Sequence, residues 1–260
     1  MLLKRLYNLP SSSILVIRQI LKHWAKEYGA EFPDTYMCFD LETTGLEAED
    51  NLIVEIGHCR IVDGESTTYE SRVLDWTQCP VEVEQSWLAW QIAECARSME
   101  ARGSQSHMTI ERMRDEGENP YEVLQDYLDM FTEAIENREF IVGHNSVKFD
   151  IPWIVYQMKD WLDVDFRFYT DRVLDTAAIE KASQLGVFPR PGELMSAYFL
   201  RVMRKPVKGV YSNLDRHCVT KYKLTEKYDL NMADAHTAGF DAMLTHLLME
   251  EFRELSQEGG

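Results

Sequence analysis

The chain has 260 residues and is 45% hydrophobic, enough for one sizeable α/β domain with insertions or two small domains, and too apolar for disorder throughout. Its five cysteines (Cys38, Cys59, Cys79, Cys95, Cys218) are scattered without a CxxC pair, which argues against a disulfide framework or a thiolate zinc site and fits a reducing, cytoplasmic setting. The net charge of −17 repels a phosphate backbone at long range, yet residues 201–227 carry eight cations against two acids, and local charge governs a site within a Debye length of roughly 8 Å.

Lys4 and Arg5 precede the apolar stretch "ILVI", which Arg18 cuts after four residues, so neither a signal peptide nor a membrane span is expected. A serine run suited to capping opens a helix over 11–28, with Ile14, Ile17, Leu21 and Trp24 at helical spacing. Strands are expected at 36–42 and 52–62, then a hairpin turn at Asp63-Gly64 and a third strand at about 67–75. Residues 81–101 read as helix, "ARGSQS" breaks it, and a polar stretch runs through "DEGENP". A periodic helix follows over 120–136, then the short buried strand "EFIVGHN". "DIPWIVYQM" starts another helix with Pro152 in its first turn, where proline is tolerated. The last strand is placed at 167–176, helices at 177–185 and 192–204, a basic loop to 222, and a final helix at about 236–255. Three strands followed by alternating helix and strand predict one mixed-sheet α/β domain.

Three short stretches carry chemistry. In "MCFDLETTG" (37–45), Asp40 and Glu42 lie two apart on a strand and project from the same face. Two neighbouring carboxylates repel unless a cation sits between them, and hard divalent cations prefer such oxygen ligands; a solvated strand end carrying two ordinary acids is the plain alternative. Asp150, in "GHNSVKFD", precedes Ile151-Pro152 and suits a helix N-cap, a role compatible with metal binding. In "HTAGFDAMLTHLL", Asp241 shares a helical face with Ala238, Leu244, Thr245 and Leu248 and has no basic neighbour one turn away, so it needs a partner. His236 reaches the same site only from a loop or first turn, and beside inward carboxylates it is a candidate base.

In order and spacing, "DLETTGL" (40–46), "GHNSVKFD" (143–150) and "HTAGFD" (236–241) resemble the three motifs of DEDDh, DnaQ-like 3′–5′ exonucleases, and "VLDT" (173–176) and "YKLTEKYDLN" (222–231) resemble the segments that connect them. The resemblance implies an α/β, RNase H-like mixed five-stranded sheet flanked by helices. It implies an exonuclease domain over 35–260, preceded by a helical extension at 1–34 and carrying insertions near 84–106 and 190–222. It makes Asp40, Glu42, Asp150 and Asp241 the four acids and His236 the general base, and sets Thr43, Leu46, Asn145 and Phe149 around the 3′-terminal nucleotide.

Two divalent cations, Mg²⁺ with Mn²⁺ able to substitute, are then expected, Asp40 bridging them, Glu42 and Asp241 on one, and Asp150 supporting through water. The implied partner is nucleic acid with a free 3′ end, DNA before RNA, with Tyr211 or Tyr222 of the basic stretch available for stacking. Two alternatives stand beside this reading: an RNA-trimming exonuclease or oligoribonuclease of the same chemistry, and a proofreading subunit that acts by binding a polymerase or another replication or repair protein through 1–34 or 84–106.

Overall fold

Alternation along strand β1 (Tyr36–Thr43) sets the architecture. Tyr36 and Cys38 enter one buried cluster, while Met37, Phe39 and Leu41 enter another on the opposite face of the sheet. Asp40 and Glu42 continue the Tyr36–Cys38 row, so a row that starts as core ends as carboxylates. The computed structural model describes residues 10–28, 33–66, 69–101, 106–168, 172–205 and 208–257.

The sheet is mixed. β1 pairs antiparallel with β2 (Ile53–Val62) and parallel with β5 (Phe140–Gly143), which pairs parallel with β6 (Val173–Asp175). A two-residue β3 (Glu65–Ser66) and β4 (Glu70–Val73) both lie along β2. Of the strand expected at about 67–75, β4 is described; β3 precedes it, in a register on β2 that differs from that of β4 by one residue, and among the described residues the sheet has six strands rather than five. Asp63 and Gly64 take the positive φ values (53° and 82°) that the tight turn between β2 and β3 demands.

Helix α1 (Ser11–Tyr28) packs on one face with α6 (Thr176–Leu185), α7 (Met195–Met203) and α10 (Ala238–Gln257), burying Ile14, Ile17, Leu21 and Trp24 as their spacing requires. The other face holds α2 (Gln85–Ala101), α3 (Ile110–Glu116), α4 (Pro120–Glu136) and α5 (Asp150–Leu162). This is the RNase H-like α/β arrangement of a mixed sheet between two helical layers. Residues 1–9 and 29–32 of the expected extension, 102–105 and 206–207 of the expected insertions, and parts of the strands expected at 67–75 and 167–176 fall outside the described residues.

Two readings are corrected. The polar stretch before 120 contains α3, which Thr109 caps by accepting from the Arg112 N–H at 3.0 Å. The basic stretch to 222 is only partly loop: a π-helical turn (Leu214–Cys218) runs into α8 (Val219–Tyr222) and then α9 (Leu224–Tyr228). A buried carboxylate holds this region. Glu180 of α6 is fully buried and accepts from Lys221 Nζ at 2.5 Å and the Tyr222 hydroxyl at 2.7 Å, with His217 Nε2 at 3.2 Å.

Candidate active site

The carboxylates converge at one end of β1. Asp40 and Glu42 come from the strand, Asp150 from the start of α5, and Asp241 from the first turn of α10. One ligand atom each from Glu42, His236 and Asp241 lie within 4.8 Å of one another. The close approach of α10 depends on Gly57, which faces Asp40 across the β1–β2 ladder; a Cβ there would stand 2.0 Å from the Gly239 nitrogen. A register shift between Glu42 and Thr43 ends the regular strand directly after the second acid.

Asp150 does not cap its helix, because the cap position falls on Phe149 and no side chain bonds there. Asp150 is instead the first helical residue, and the nearby backbone N–H groups of Leu41 and of Asp150 itself pull its carboxyl down against the effect of burial. His236 sits in the connection two residues before α10, with φ of 69°, which lets its ring face Asp241 despite the five-residue separation. Its backbone N–H donates to Asp241 Oδ1 at 3.3 Å, and its Nδ1 lies 3.9 Å from Asp241 Oδ2.

The electrostatics match the crowding. Burial, then the charges of Asp150, Asp241 and Glu42, hold Asp40 well above the ordinary carboxylate range. Burial and the charge of Asp241 do the same to Glu42. Burial pushes Asp150 up to about 8 and Asp241 to about 6, the latter against the opposing charge of His236. The cation that eases Glu42, Arg112 of α3, already grips Glu55 through Nη1 at 2.9 Å and Nη2 at 3.2 Å. The four acids thus form a site short of positive charge.

A cleft of about 510 Å³ opens onto Glu42 and His236. Thr43, Leu46 and Phe149 line it, with Glu42, His236 and the α2 residues Cys95 and Met99. Leu46 is 74% exposed, an apolar side chain left in the open at the rim. Asn145 is not among the lining residues; its backbone N–H donates to Asp175 Oδ1 at 3.1 Å. Tyr222 is fully buried against Glu180 and presents no ring for stacking, whereas Tyr211 is 61% exposed.

Sequence reasoning counted Asp215 and Arg216 only in the charge of the basic stretch and did not name Asn213, yet all three line the cleft wall, at and just before the π-helical turn. Asp215 Oδ2 lies 3.4 Å from His236 Nε2. Pairing with Asp215 raises His236; burial pushes Asp215 up, but the imidazole and Arg216 together leave Asp215 below its ordinary value. No motif or periodicity marks this turn, because long-range anchoring at Glu180 positions it.

No curated protein matches the chain in sequence. Among solved structures, Escherichia coli exonuclease I in complex with a dA16 oligonucleotide aligns with a TM-score of 0.51 at 17% identity, over 86% of this chain and 42% of that one. Another exonuclease I structure gives 0.50 at 15% identity with the same coverage, and cell-death related nuclease 4 gives 0.49 at 12% identity over 85% of this chain and 64% of that one. The chain therefore spans about two fifths of the length of exonuclease I. The family model of the DNA polymerase family B exonuclease domain matches residues 22–188, which include the acids at 40, 42 and 150 and stop short of His236 and Asp241. That match covers well over half of the 260 residues, and the chain belongs to this exonuclease domain family.

Proposed function

We propose that the chain is a metal-dependent 3′–5′ exonuclease that removes nucleoside 5′-monophosphates from the 3′ end of DNA, single-stranded or frayed. The observation that carries this reading is the meeting of Glu42, His236 and Asp241, with Asp40 and Asp150 near enough for their charges to act on the cluster, beside a cleft with an exposed apolar rim. The exonuclease family of DNA polymerases favours DNA over RNA, and the fold-related exonuclease I holds a dA16 oligonucleotide.

Divalent cations fit the site on its own chemistry. The carboxylates raise one another, and the adjacent Arg112 is committed to Glu55. Asp40, Glu42, Asp150 and Asp241 would hold two Mg²⁺ ions, all hard oxygen donors. Bound there, the ions supply Lewis-acid charge that favours hydroxide over water and offsets charge building on the phosphate. The chain's own residues do the rest. His236 takes the proton of the attacking water. Leu46 and Phe149 seat the terminal nucleotide, Thr43 lies against it, and Arg216 on the cleft wall faces the phosphates.

The test compares the chain with an Asp40→Ala/Glu42→Ala variant on 3′- and 5′-labelled DNA and RNA, single- and double-stranded, in Mg²⁺, Mn²⁺ or EDTA. Single-stranded DNA should be degraded in either metal and left intact in EDTA or by the variant. Preferential degradation of RNA would reassign the substrate, and turnover in EDTA would contradict the reading. His236→Ala should lower kcat on the order of a hundredfold while Mn²⁺ affinity holds. An equal loss of metal affinity would make His236 a ligand instead of the base.

A further inference from the structure

We propose that Asp215 is the positioning residue for His236: it accepts a hydrogen bond from Nε2–H and leaves Nδ1 facing the acids as the proton acceptor. The proposal rests on the reading of His236 as the base. Both ring nitrogens face carboxylates, Nε2 towards Asp215 Oδ2 at 3.4 Å and Nδ1 towards Asp241 Oδ2 at 3.9 Å. Asp241 is one of the four acids that would hold the ions, which leaves Asp215 to fix the ring.

The backbone of His236 is anchored, but that does not orient its ring. The preceding carbonyl, Ala235 O, lies 2.8 Å from His107 Nε2, and the His236 N–H is held by Asp241. The residue lies outside any helix, in a short connection, so an outside partner has to select the ring's rotamer and tautomer.

Asp215 is well placed for this. Its turn is tied down on both sides: Glu180 binds His217, Lys221 and Tyr222 after it, and Gln184 Nε2 donates to the Tyr211 carbonyl at 2.5 Å before it. His144 Nε2 donates to the Ser212 carbonyl as well. The turn is thereby fixed to α6 and to the loop after β5, and Asp215 reaches the cleft from a rigid base. A further carboxylate beside four acids adds repulsion, which Asp241 registers. Its contacts with His236 and with Arg216 Nε at 3.5 Å offset that repulsion.

The experiment uses the full chain on a 5′-labelled single-stranded DNA oligonucleotide in Mg²⁺. Asp215→Ala should lower kcat at least about tenfold, with KM and Mn²⁺ affinity moving less than about twofold. Asp215→Asn, which keeps an acceptor oxygen, should recover part of the loss and serves alone if the alanine variant does not fold. In a His236→Ala background, Asp215→Ala should cost nothing further. Unchanged kcat, or the same loss in both backgrounds, overturns the proposal. If the wild type degrades no nucleic acid, the functional reading fails separately. The pair is then decided by ¹⁵N-histidine NMR, where an Nε2–H signal of His236 that disappears in Asp215→Ala supports the positioning role and an unchanged spectrum overturns it.

Discussion

Asp150 and Asp241 carry a cost that the folded chain bears for the sake of the site. In the unfolded chain both ionise near 3.8, whereas in the fold they keep their protons up to about 8 and about 6. Between those values the native state binds more protons than the unfolded state, so their contribution to stability is present below about pH 4 and is lost as pH rises towards 8. In EDTA, Asp150→Asn should therefore raise Tm over wild type by a margin that grows from pH 5 to pH 8, and Mg²⁺ should narrow it by stabilising the wild type more than the variant. Thermal melts across that range check this; a margin independent of pH would mean that Asp150 is not held neutral. These acids and His236 were legible because each sits in a short local pattern, and the condition on His236, a place outside the helix, is met by its connection ahead of α10. Asp215 was not legible, since its significance depends on a contact 21 residues away in sequence.

The elements that position the site are those whose periodicity is plain. Strand β2 and helix α4 follow directly from their apolar spacing. Among the described residues, the strand expected at 167–176 is observed over Val173–Asp175, while Phe166 and Phe168 turn into the aromatic cluster with Phe131. Helix α3 escaped notice because Met113 is its one fully buried residue. Its hold comes from Arg112, which reaches Glu55 across the fold and Glu116 one turn on at 2.8 Å. The crossing of α10 over β2 depends on the absence of a side chain at Gly57, where a Cβ would also stand 2.1 Å from the Ala238 carbonyl carbon. Since the obstruction is backbone, Gly57→Ala should force the start of α10 away from β2 and destabilise the protein by about 1–3 kcal/mol. Activity should fall further than stability alone accounts for, because Asp241 and His236 move with the helix start. Denaturant unfolding beside kcat measurements checks this; native kcat in a folded Gly57→Ala would contradict it.

At the scale of the whole molecule, the net charge of −17 and the proposed nucleic-acid substrate are reconciled by where charges are spent. Some of the acidity belongs to the site and would be neutralised by cations. The basic stretch is less of a phosphate track than its composition suggests: Arg201 pairs with Glu193, Lys221 with Glu180, and Lys227 with Glu251 and Glu254. Its contribution to the cleft is the turn carrying Asp215 and Arg216. Helix α1 buries its apolar stripe in the core, so any partner contact would use its outer face, where Leu15 is exposed. Among the described residues no helix is long and apolar enough to cross a membrane. The most direct measurement is a time course on a 5′-labelled single-stranded DNA oligonucleotide in Mg²⁺, run beside the Asp40→Ala/Glu42→Ala variant. A ladder of progressively shorter labelled strands, with nucleoside 5′-monophosphates released and no cleavage by the variant, is the predicted result. Early release of the label as a mononucleotide, cleavage confined to internal positions, or equal activity of the variant would contradict it.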